Sequence, residues 1–135
     1  EVLNQLQMER ALVFGGNDGL DEITLTTTSE VAELRDGKVT HFTFDPKDYG
    51  FKYCTNEDLV GGEPAENAAI ALAILSGEKG PKRDTVLLNA GMAIYLANDD
   101  YTIADGIKRA AELIDSGAAL GKLKQFITAS QEATK

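Results

Sequence analysis

Residues 86–97, Val-Leu-Leu-Asn-Ala-Gly-Met-Ala-Ile-Tyr-Leu-Ala, are apolar on nearly every side of the helix their spacing predicts. A helix without a polar face has to be enclosed, so the rest of the chain must supply elements that pack around it. Asn89 is the exception within that run. A buried amide needs hydrogen-bond partners, and the reading favoured by its chemistry is a bond to backbone, with contact to a ligand as the alternative.

The first half of the chain supplies strands. Ala11-Leu12-Val13-Phe14 is a short apolar run, followed by Ile23-Thr24-Leu25-Thr26, Val31-Ala32-Glu33-Leu34 and Val39-Thr40-His41-Phe42-Thr43-Phe44. The turn at Asp36-Gly37 makes the last two a hairpin. Alternation sets Thr40, Phe42 and Phe44 on one face and Val39, His41 and Thr43 on the other, so the phenylalanines face a core and His41 faces solvent. His41 is the only histidine; mid-strand on the more polar face, it reads as structural or neutral rather than as a general base. Asp45-Pro46 ends the strand, with a short turn or helix over 47–54.

The second half is helical. Pro64 suits a first helical position, and Asn67, Ala68, Ala71, Leu72 and Leu75 keep helical spacing until Ser76-Gly77. A second helix starts near Pro81 and contains the apolar run. Thr102 opens a third, with Asp105 completing a capping box and Ile103, Ile107, Ala110 and Ile114 facing inward, until Ser116-Gly117. A last helix turns Leu120, Leu123 and Ile127 inward and ends in a polar segment, 130–135, expected to fray. The predicted fold is α/β, strands and a hairpin followed by a bundle of helices packed on the sheet, in one domain over 135 residues.

At the start, Val2, Leu3 and Leu6 have the spacing of an amphipathic helix that feeds into the first strand. Helix-then-strand is the entry expected of a parallel sheet continuing an earlier βα unit. With Glu1 in first place, the expectation is a fragment of a longer chain; a natural N-terminus trimmed by processing is the alternative.

Charge removes several function classes. Thirteen Lys and Arg face 22 Asp and Glu, and the net charge of -9 opposes nucleic-acid phosphates and anionic membranes. One cysteine, Cys54, permits neither an internal disulfide nor a Cys-cluster zinc site, and suits a reducing cytoplasm. No stretch approaches the roughly 20 apolar residues of a membrane span, and no signal peptide is recognisable.

The best site candidate follows the first apolar run: Gly15-Gly16-Asn17-Asp18-Gly19, a turn expected to need positive φ, and then Leu20-Asp21-Glu22. Adjacent carboxylates offer hard oxygen ligands to Mg²⁺, which takes one or two of them and leaves its other positions to water and substrate phosphates. The same dipeptide also reads as a solvated surface pair. An EF-hand fitted at Gly19 would put Phe14 and Leu25 where carboxylates are required. The turn lacks the Gly-Lys-Ser/Thr ending of a P-loop and the spacing of the dinucleotide fingerprint, and no Gly-x-Ser-x-Gly elbow occurs.

Taken in order, Glu9-Arg10-Ala11-Leu12-Val13-Phe14, Asp18-Gly19-Leu20-Asp21-Glu22-Ile23, Val31-Ala32-Glu33-Leu34, Gly61-Gly62, Glu66-Asn67-Ala68, the run from Leu75 through Asp84, Leu87-Leu88-Asn89-Ala90 and the run from Ile114 through Leu120 resemble the C-terminal part of the anthranilate phosphoribosyltransferase family. The resemblance covers essentially the whole chain. It implies the C-terminal part of a phosphoribosyltransferase/nucleoside-phosphorylase-like α/β domain, from an enzyme of tryptophan biosynthesis that moves a phosphoribosyl group from phosphoribosyl pyrophosphate to anthranilate. It further implies that Asp21 and Glu22 hold Mg²⁺ and take no proton-transfer role, and that the parent is a cytoplasmic homodimer. The family's Gly-Thr-Gly-Gly-Asp loop, its Lys-His-Gly-Asn segment, its anthranilate-contacting residues and its helical N-terminal domain belong upstream, so the chain alone is expected to be inactive. Gly15 stands where many members carry His, and Thr27-Thr28 replace a common Gly-Pro. Two alternatives remain at this point: a pyrimidine nucleoside phosphorylase-like fragment, and a non-catalytic binding or assembly module of the same fold.

Overall fold

A computed structural model describes residues 1–133 of the chain. Three strands, β1 (Arg10–Gly16), β2 (Ser29–Arg35) and β3 (Lys38–Phe44), form an antiparallel sheet in the order β1-β2-β3. Asp36 and Gly37 have φ of 52° and 73°, the pair of positive values that a two-residue hairpin turn requires. That turn sets Leu34 opposite Val39 and Val31 opposite Phe42, which brings Phe42 and Phe44 to the core and leaves His41 exposed, as alternation predicts.

Among the described residues both strand pairings are antiparallel. Two expectations for this half need correction. The opening helix α1 (Val2–Gln5) is a single turn with Val2 and Leu6 exposed, and Gln7 at φ 60° turns the chain before β1. Ile23-Thr24-Leu25-Thr26 is not a strand: it belongs to the loop over 17–28, because side chains rather than a neighbouring strand take up its polar groups.

After β3, Asp45 accepts the Lys47 N–H at 2.9 Å and starts a short 3-10 turn, Pro46–Tyr49, where Tyr49 stacks on Phe44 with ring centroids 4.8 Å apart. The helices follow as α2 (Asn56–Leu59), α3 (Pro64–Leu75), α4 (Pro81–Leu96), α5 (Ile103–Asp115) and α6 (Ala118–Glu132). The capping box of α5 is present: Thr102 Oγ1 accepts the Asp105 N–H at 3.2 Å, and Asp105 Oδ2 accepts the Thr102 N–H at 2.9 Å.

The core joins Ile23, Leu25, Val31 and Phe44 to Leu87, Leu88 and Met92 of α4 and Ile107, Ala110 and Ile114 of α5. Leu88 and Ile23 have no exposed surface. The enclosure of α4 is incomplete, since Val86 and Ala93 on its other side are exposed. In α3 the packed residues are Ile74 and Leu75, while Ala68, Ala71 and Leu72 face outward; nearly every position is apolar, so spacing could not select a face. In α6, Leu120 and Leu123 are half-buried but Ile127 is exposed. That helix continues through Glu132, so the segment expected to fray is helical at 130–132, and 134–135 lie outside the described residues.

Candidate functional site

The loop over 17–28 leaves β1 and returns to β2 across a narrow neck. Asn17 donates its N–H to the Thr28 carbonyl at 2.9 Å and its Nδ2 to Thr28 Oγ1 at 2.8 Å. Gly15 and Gly16 are not turn residues, contrary to expectation; they lie in β1 opposite Glu30 and Ser29, and the positive φ falls on Gly19, at 92°. Gly16 has a different necessity. A Cβ there would come within 2.3 Å of Asp18 Oδ1 and 3.0 Å of Thr24 Cγ2.

Asp18 organises the loop interior. Its Oδ1 accepts the Leu20 N–H at 3.1 Å, and its Oδ2 accepts the Thr24 hydroxyl at 2.6 Å together with the Thr26 hydroxyl. Desolvation opposes the charge on this carboxyl, but the Thr24 and Thr26 hydroxyls and the Leu20 N–H together outweigh it and hold the group below its ordinary 3.8. Thr24 and Ser29 are fully buried, and the Thr24 N–H donates to Ser29 Oγ at 3.2 Å.

From the far side, Asn89 of α4 reaches across to Ile23. Its Oδ1 accepts the Ile23 N–H at 3.0 Å, and its Nδ2 donates to the Ile23 carbonyl at 2.8 Å and to the Thr85 carbonyl at 3.0 Å. The lone amide of the apolar run is therefore bonded to backbone, and it satisfies both polar groups of a residue that has no strand partner.

Asp21 and Glu22 stand between these fixed points. Both are exposed, and among the described residues no hydrogen bond or ion pair engages either carboxylate. Glu22, Asp18 and Leu20 border a cleft of about 510 Å³, closed by Val60 and Gly61 after α2, Asn67 and Ile70 of α3, and Lys82, Thr85 and Val86 of α4. Asp21 is not part of that lining. Lys82 Nζ donates to the Asp58 and Val60 carbonyls at 2.8 and 2.7 Å, and Asn67 grips Gly62 by both its N–H and its carbonyl, so the wall opposite the loop is tied to α3 and α4.

The donor set is limited to two exposed carboxylates. Among the described residues no three His, Cys, Asp or Glu side chains converge on a common point, so no closed protein cage exists. Two sequence-adjacent carboxylates free of partners are compatible with a largely hydrated cation such as Mg²⁺, which keeps much of its shell for water and phosphate oxygens. Nothing comparable surrounds the other candidates. His41 is exposed on β3, and burial, reinforced by the Asp58 carboxylate, pushes the Cys54 thiol up, so that it stays protonated at neutral pH. Sequence reasoning placed Asp18 in the candidate segment without seeing its bonds to Thr24 and Thr26, two residues it read only as part of a strand. An Asp whose carboxylate takes the N–H two residues on was the available signal.

Residues 1–120 match the family model described as glycosyl transferase family, a/b domain. An anthranilate phosphoribosyltransferase of Clostridium beijerinckii is 52% identical over 126 residues, which cover 93% of this chain and 37% of that protein. A crystal structure of anthranilate phosphoribosyltransferase from Thermus thermophilus superposes with a TM-score of 0.83 at 36% identity, covering 93% of this chain and 37% of that one. The Saccharomyces cerevisiae enzyme in complex with PRPP and Mg superposes with a TM-score of 0.81 at 27% identity, over 90% of this chain and 35% of that one. The chain thus spans little more than a third of the length of the relatives it matches.

Proposed function

The chain belongs to the glycosyl transferase family, a/b domain, and from that membership we propose that it is the part of an anthranilate phosphoribosyltransferase that carries the metal ligands of the phosphoribosyl pyrophosphate site. The observation that carries the reading is the pair Asp21 and Glu22, exposed and free of partners on a loop pinned at both ends beside a cleft. Support for the substrates comes from the yeast relative's complex with PRPP and Mg and from the same enzyme's complex with 4-fluoroanthranilate.

In the proposed reaction the anthranilate nitrogen bonds to the ribose C1, the C1–O bond to pyrophosphate breaks, and the amine proton leaves to solvent. The ribose becomes oxocarbenium-like while negative charge grows on the departing pyrophosphate. Mg²⁺, when bound, supplies the positive charge that offsets it. Asp21 and Glu22 contribute anionic oxygens and move no proton. Leu20, Ile70 and Val86 give apolar surface to the cleft that Glu22 borders.

The full activity is assigned to a longer protein, with a preceding helical domain, a homodimeric state and a cytoplasmic setting that the single thiol suits; the 135-residue chain alone is expected to be inactive. The test joins this chain to the upstream part of a relative and follows the loss of anthranilate fluorescence with phosphoribosyl pyrophosphate and Mg²⁺. Turnover that disappears in an Asp21→Asn, Glu22→Gln double variant supports the assignment. Unchanged turnover in that variant removes the metal role from the pair, and the absence of turnover in the folded hybrid favours a binding module of the same fold.

A further inference from the structure

We propose that Asn89 is a positioning residue for the acidic pair, fixing the backbone that carries Asp21 and Glu22 by its grip on Ile23; the inference rests on reading that pair as a cation site. The loop over 17–28 lacks a strand neighbour at Ile23, and one side chain takes the place of that neighbour by accepting the N–H at 3.0 Å and donating to the carbonyl at 2.8 Å. A third bond, to the Thr85 carbonyl of its own helix, leaves the Asn89 amide a single orientation, because exchanging its oxygen and nitrogen would break all three bonds.

The helix behind that amide is anchored in the core. Leu88 and Met92 flank Asn89 in α4 with 0% and 1% exposure, so the position of Ile23 is set by the core. At the other end, Asp18 Oδ1 holds the Leu20 N–H at 3.1 Å. Asp21 and Glu22 are therefore the two residues between two clamped ones, Leu20 and Ile23. Ordering that backbone in advance removes its entropy cost from cation binding. A role confined to stability would need Asn89 only to satisfy Ile23, and would leave the cation affinity of a folded variant unchanged.

The test uses the 135-residue chain labelled with ¹⁵N, with Mn²⁺ as a paramagnetic probe and amide exchange as a reading independent of metal. In the wild type, Mn²⁺ is expected to broaden the amides of residues 20–23 before others. Asn89→Asp keeps the acceptor and loses both donors, while Asn89→Ser withdraws the grip with a small neutral side chain and serves if the charged variant does not fold. Each is expected to weaken the local Mn²⁺ effect about tenfold. Ile23 exchange protection should fall with it, while the amides of β1, β2 and α5 keep theirs. Unchanged Mn²⁺ affinity in a folded variant overturns the positioning role and leaves the cation site standing. Absence of local broadening in the wild type overturns the cation reading and this inference with it.

Discussion

Gly106 of α5 lies against Gly91 of α4 without room for a methyl group on either: a Cβ on Gly106 would stand 2.2 Å from the Gly91 carbonyl oxygen, and one on Gly91 would stand 2.8 Å from Ile107 Cα. Both obstacles are backbone, so neither helix can yield by turning a side chain. Gly106→Ala gains roughly 0.5–1 kcal/mol of helix preference but meets an overpacking cost of about 1–3 kcal/mol, and the second effect is expected to win. Urea unfolding followed by circular dichroism should give a lower midpoint with an unchanged slope. A midpoint at or above that of the wild type would mean that the helices cross less closely than this.

Asp18→Asn is expected to destabilise the chain at neutral pH by about 1 kcal/mol, a modest figure because the carboxylate, though hydrogen-bonded, is exposed. The sign with pH follows from the direction of its shift. A carboxyl held below 3.8 in the folded state contributes stability that is present above that value and lost as pH falls through the lower folded value. Wild-type and variant stabilities should therefore differ above about pH 4 and converge on acidification, which denaturant titrations from neutral pH down to about 2.5 would reveal.

Thr102→Ala removes the hydroxyl that accepts the Asp105 N–H and donates to Asp105 Oδ2 at 2.6 Å. The expected loss is about 1 kcal/mol, the usual worth of a helix cap. Thr102→Ser keeps the same oxygen and should recover most of it in the same unfolding assay. Equal losses for both substitutions would assign the effect to the methyl group.

By contrast, the Asp21→Asn, Glu22→Gln double variant should unfold within about 0.5 kcal/mol of the wild type, since neither carboxylate has a partner to lose among the described residues. Its Mn²⁺-dependent broadening should vanish. A large loss of stability would mean that the pair serves the fold, and would weaken its assignment to a cation.

What could be read in the sequence was whatever a local rule governs. Asp36-Gly37, Pro64, and Thr102 with Asp105 act through their immediate neighbours, and each stands where the chain order placed it. Ile23-Thr24-Leu25-Thr26 has the composition of a strand but no strand beside it, because Asp18, Ser29 and Asn89 take up its polar groups. Asn89 could be recognised as an amide that needed backbone partners, yet nothing local named Ile23. The acidic pair stood out by its chemistry, whereas the cleft beside it depends on how α2, α3 and α4 meet.

The bonds from Asn89 to Ile23 join residues 66 positions apart, whereas the β2–β3 hairpin turns on Asp36 and Gly37 alone. Contacts that close long stretches of chain form late, after local ones have shortened the search. By that rule the loop with the acidic pair is expected to take its final shape only once α4 has docked. In stopped-flow experiments Asn89→Ser should hasten unfolding and leave the folding rate nearly unchanged, the pattern of an interaction absent from the transition state. A chain emerging from synthesis would then have its hairpin before the loop bearing Asp21 and Glu22 was set in place.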